Sequence, residues 1–127
     1  MIENAYIVQA GRNELITIVK RALVRETVAV ITPLVVQSAR QKDFTDAKLD
    51  SSRCEWFTPL DLLRKRLPSR DRLVIVDELY EQPWGHSTVW QIIYGLSNRV
   101  WIRCCLPSTA KDAVTLKSHG IKLVCLE

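Results

Sequence analysis

The sequence predicts a single three-layer α/β/α domain with a mainly parallel sheet of five to six strands. Three observations carry that prediction. Strand-like and helix-like segments alternate along the whole chain, several strand segments are aliphatic throughout, and 127 residues suffice for one enclosed core but not for two. A strand apolar on both faces must be covered on both, which requires helices above and below a parallel sheet joined by right-handed crossovers.

Residues 5–10 (AYIVQA) form an apolar run suited to a doubly buried strand, and GRN supplies a turn and a helix start. From Glu14 to about Arg25 the residues Leu15, Ile16, Ile18, Val19, Ala22 and Leu23 recur at helical spacing, with Lys20, Arg21 and Arg25 late in the helix, where cations suit its dipole. TVAVITP (27–33) is β-branched and stopped by Pro33; LVVQSARQ then opens a short helix ahead of the polar stretch KDFTDAKLDSS. CEWFTP (54–59) reads as a strand and LDLLRKRL (60–67) as a helix, with Leu60, Leu62, Leu63 and Leu67 leaving a basic face outside. RLVIVDE (72–78) is a nearly all-aliphatic strand that ends in two carboxylates. HSTVWQIIYGL (86–96) is a helix with Val89, Trp90, Ile93 and Leu96 inward, RVWIRCCLP (99–107) a strand, STAKDAVTLKSHG (108–120) a helix ended by Gly120, and KLVCLE (122–127) a closing strand. Ligands of such sheets sit at the carboxyl ends of the strands, so function is sought in the loops after Ala10, Pro33, Asp77 and Cys105.

The apolar fraction of 47% and charged fraction of 25% belong to ordinary globular proteins. No stretch approaches the roughly 20 apolar residues of a membrane span, and the amino terminus lacks the pattern of a secretory signal, so an intracellular protein is expected, without a membrane partner. A net charge of +4 permits contact with phosphate backbones. The cysteines Cys54, Cys104, Cys105 and Cys125 lack the CxxC spacing of zinc ribbons and thioredoxin-type pairs, and three lie in apolar strand segments that suit buried thiols.

VIVDE places Asp77 and Glu78 at the carboxyl end of a central strand, the pattern of a Walker B box, in which the first carboxylate holds magnesium and the second polarises the attacking water. In order and spacing nearly all of the chain resembles the first RecA-like domain of superfamily 1 helicases, a P-loop NTPase fold. YIVQAGRNELITIVKRAL stands at the strand, phosphate loop and first helix, VAVITPLVVQSAR is similar to motif Ia, VIVDELY to motif II, and VWIRCCLPS to the strand carrying motif III. The resemblance also implies departures. The connection AGRNE keeps Gly11 but sets Arg12 and Asn13 in the place of the phosphate-binding lysine and Glu14 near the place of the hydroxyl residue. Gly11, Arg12 and Asn13 are therefore expected to attract at most an anion, Asp77 and Glu78 to be a vestigial catalytic pair, and magnesium and ATP to be cofactors only if a partner completes the site.

Arg64, Lys65, Arg66, Arg70 and Arg72 form the densest basic cluster, and a helix bearing them along one face would meet successive phosphates. Trp84, in the loop after the carboxylates, could stack on an unpaired base or serve a protein interface; Trp56, Trp90 and Trp101 are expected in the core. The expected function is a non-catalytic, helicase-derived module that binds nucleic acid or a protein. Its rivals are a residual magnesium-dependent ATPase domain and a structural, homo-oligomeric assembly protein. Truncated domains of this kind suit a viral or mobile-element source.

Overall fold

A computed structural model of the chain describes residues 4–9, 12–77, 88–96, 98–104 and 121–125. The elements run β1 (Asn4–Gln9), α1 (Arg12–Leu23), β2 (Val28–Ile31), α2 (Leu34–Asp46), a 3₁₀ turn (Ser51–Arg53), β3 (Cys54–Phe57), α3 (Pro59–Leu63), β4 (Leu73–Asp77), α4 (Thr88–Tyr94), β5 (Arg99–Cys104) and β6 (Ile121–Cys125). All strands pair in parallel, in the order β3-β2-β4-β5-β1-β6. The helix and strand expected over 108–120 and beyond residue 125 lie outside the described residues.

The aliphatic strands divide their side chains between two cores. On one face Ala29, Ile31, Val74, Val76, Val100 and Ile102 meet Leu62 of α3 and Trp90 and Ile93 of α4. On the other, Val28, Val30, Leu73 and Ile75 meet Leu15, Val19 and Leu23 of α1 and Phe44 of α2. Burying each large side chain in such a core contributes roughly 1.5–3 kcal/mol, which is why β2 and β4 carry apolar residues at every position of Val28–Ile31 and Leu73–Val76. The same division explains the strand order. The connections through α1 and α2 run toward β3 and lie on one face; those through α3 and α4 run the opposite way and lie on the other, so all four crossovers share one hand. Trp90 is buried as expected, whereas Trp56 and Trp101 are only partly so and pack at the margin of the second core.

Two helices end differently from the sequence expectation, and by the same device. α2 continues through the polar stretch to Asp46, because Phe44 reaches the core and packs at a tilt against the Trp56 ring, at a centroid distance of 5.1 Å. It stops where Lys48 adopts φ 59°, with Lys48 N–H donating to the Thr45 carbonyl and Leu49 N–H to the Phe44 carbonyl. α3 is the correction: it spans Pro59–Leu63 and does not continue to residue 67. Thr58 and Asp61 form a capping box at its start. At its end Lys65 adopts φ 64°, its N–H donating to Leu62 and that of Arg66 to Asp61. Each terminus is a Schellman motif with lysine where glycine is usual, so the sequence carries no glycine to mark it.

Among the described residues no helix is long and apolar enough to cross a membrane.

Candidate functional site

The carboxyl edge of the sheet brings β4, β5 and β1 level. Asp77 pairs in register with Arg103, and Arg103 with Val8, so Asp77 stands across β5 from the end of β1. Two strand spacings, about 9–10 Å, separate them. The connections leaving β2 and β4 pass to opposite faces, which makes the gap between these two strands a topological switch point, the place where parallel sheets hold ligands. Thr32 and Asp77 flank that gap, and α2 begins beside it, behind Pro33.

Asp77 is fully buried. Its Oδ2 accepts a hydrogen bond from Nε of Arg40 at 2.7 Å, and Nη1 of Arg40 lies 3.2 Å from Oδ2 of Asp43. The buried carboxylate thus has a counter-charge from within the chain. Sequence reasoning alone does not find Arg40. Nothing in LVVQSARQ singles it out, because the pairing spans 37 residues and depends on how α2 lies on the sheet. Thr32 is likewise fully buried; its N–H donates to the Phe57 carbonyl, while its Oγ1 has no hydrogen-bond partner among the described residues.

At the start of the chain only two residues, 10 and 11, separate the last residue of β1 from the first of α1. A phosphate loop of the Walker A type spans eight motif positions between strand and helix. Arg12 and Asn13 belong to the first turn of α1, while Gly11, Glu78 and Trp84 lie outside the described residues. No group of three or more His, Cys, Asp or Glu side chains among the described residues is placed to hold a metal ion.

The basic cluster does not form one helical face, since α3 ends before it. Arg66 folds back: Nη1 donates to the Trp56 carbonyl at 3.0 Å, its guanidinium lies 4.3 Å from the Phe57 ring centroid, and Glu55 and Asp61 lie within 3.5 Å. Arg72 also pairs with Glu55. Arg64, Lys65 and Arg70 remain exposed. Between them Leu60, Leu63 and Leu67 are about half exposed, so the surface is mixed apolar and basic. The loop is tied to β5 by buried Asn98, which donates to the carbonyls of Ser69 and Arg72.

Comparison with protein-family models, with curated proteins and with solved structures found no match.

Proposed function

We propose that this chain is a non-catalytic, RecA-like domain of helicase descent that works by binding nucleic acid or a protein partner. The observation that carries the reading is the buried Asp77–Arg40 pair: the carboxylate that would hold magnesium is neutralised by an arginine of the same chain. The two-residue link between β1 and α1 supports it, since so short a connection cannot wrap a phosphate with successive amides. The exposed cations Arg64, Lys65 and Arg70 supply a surface for phosphate contacts, whose affinity must fall as salt rises. The test is an ATPase assay with calorimetry at millimolar magnesium. No turnover and no heat of binding are expected; turnover abolished by Glu78→Gln would overturn the reading.

A second reading, an assembly protein, draws on the half-exposed Leu60, Leu63 and Leu67. It predicts a concentration-dependent oligomer by analytical ultracentrifugation that Leu63→Glu dissociates, with no salt-sensitive binding of oligonucleotides.

A further inference from the structure

At the opposite, amino-terminal edge of the sheet, an open groove of about 590 Å³ lies between the end of α1 and the starts of β4 and β5. Its apolar part includes Leu73, Trp101 and Val24, the last 77% exposed. Its charged part is three arginines and one glutamate: Glu26 is held by Arg99, leaving Arg21 and Arg25, neither of which pairs with a carboxylate among the described residues. The groove is therefore cationic beside an exposed aliphatic side chain, a combination that neither the core nor the sheet requires.

We propose that this groove binds an acidic segment of a partner protein, with an aliphatic side chain set against Val24 and Trp101 and carboxylates on Arg21 and Arg25. Five of its nine lining residues are apolar, whereas nucleic-acid interfaces are more polar and more strongly positive. Arginine and tryptophan, without lysine, are the residues that concentrate binding energy in protein interfaces. A carboxylate gains a planar, forked donor from each guanidinium. The site rests on the groove's own residues, so ATP turnover by the chain would leave it standing.

The experiment uses the full chain and fluorescence anisotropy of three labelled probes: a peptide alternating pairs of glutamate and leucine, the same peptide with lysine for each glutamate, and an oligothymidylate. The glutamate–leucine peptide binds and the lysine peptide does not. Arg21→Glu with Arg25→Glu weakens binding by about tenfold or more, as does raising salt. Val24→Asp, at an exposed position, weakens it with unchanged circular dichroism, and decides the matter should the double variant fail to fold. Equal affinity for the lysine peptide, or peptide binding indifferent to Val24→Asp and to charge reversal, would overturn the proposal. So would oligothymidylate binding that charge reversal removes while the peptide stays unbound. Arginines that serve only the dipole of α1 would show as lost stability with no change in peptide affinity, which also overturns it.

Discussion

Nε of Arg40 donates to Oδ2 of Asp77 at 2.7 Å, joining the middle of α2 to the last residue of β4. The carboxylate is fully buried and the guanidinium nearly so. Breaking a buried ion pair by removing one partner costs about 3–5 kcal/mol. Arg40→Met therefore lowers the urea midpoint steeply. Asp77→Asn in the same chain recovers much of that loss, because a neutral amide needs no counter-ion. Additive losses in the double variant would show that the two side chains are not coupled.

Lys65 ends α3 with φ 64°, a conformation that costs an L-residue roughly 1–2 kcal/mol relative to glycine. Lys65→Gly, whose gain is reduced by the freer unfolded chain, raises stability by up to about 1 kcal/mol. Thermal unfolding followed by circular dichroism reads it. A fall in melting temperature would mean that α3 ends elsewhere.

That lysine shows where the sequence was legible and where it was not. Aliphatic runs such as Leu73–Val76 announced a doubly covered strand, because burial on two faces leaves no polar position. The parallel α/β architecture followed from them. The end of α3 did not, because Leu60, Leu63 and Leu67 keep helical spacing although the backbone turns at Lys65. Asp77 was legible as a residue at a strand end, but its partner was not: an ion pair between Arg40 and Asp77 is fixed by tertiary packing, which no local spacing encodes. Two basic residues read as outward-facing, Arg66 and Arg72, turn to Glu55 for the same reason.

Asp61 closes the capping box of α3. The Thr58 N–H, donating at 2.8 Å, holds its carboxyl below the ordinary value of 3.8, aided by the Thr58 hydroxyl and by Arg66 and Arg64, against slight burial. A carboxylate with a depressed folded pKa contributes stability above its unfolded value and loses it as pH falls through the folded one. The advantage of the wild-type chain over Asp61→Asn is therefore full above the ordinary value of 3.8 and shrinks as pH falls below it. Denaturant midpoints of the two chains across that range measure it; a gap constant with pH would contradict the assignment.

Burial pushes the Tyr94 hydroxyl from 10.0 up to about 12. The folded chain keeps it neutral where the unfolded chain ionises, so stability is intact below pH 10.0 and declines as pH rises toward 12. Tyr94→Phe, which keeps the ring beside Trp90, flattens that alkaline decline in denaturant midpoint. An unchanged slope would place the alkaline sensitivity elsewhere.

Thr32 offers the converse test at the carboxyl edge, a buried polar atom with no partner among the described residues. The residue is fully enclosed at the end of β2, and its backbone N–H is already used by Phe57, so only the hydroxyl distinguishes it from an apolar residue of the same shape. A buried donor left unsatisfied costs about 1–3 kcal/mol. Thr32→Val keeps the β-branched form and the main-chain bond while removing that cost, so a gain of about 1–2 kcal/mol is expected in the urea unfolding free energy. A loss of stability would show that the hydroxyl is satisfied in solution, by water or by a group approaching the gap between β2 and β4. The sign of this one substitution therefore distinguishes a sealed strand end from a polar one beside the Asp77–Arg40 pair.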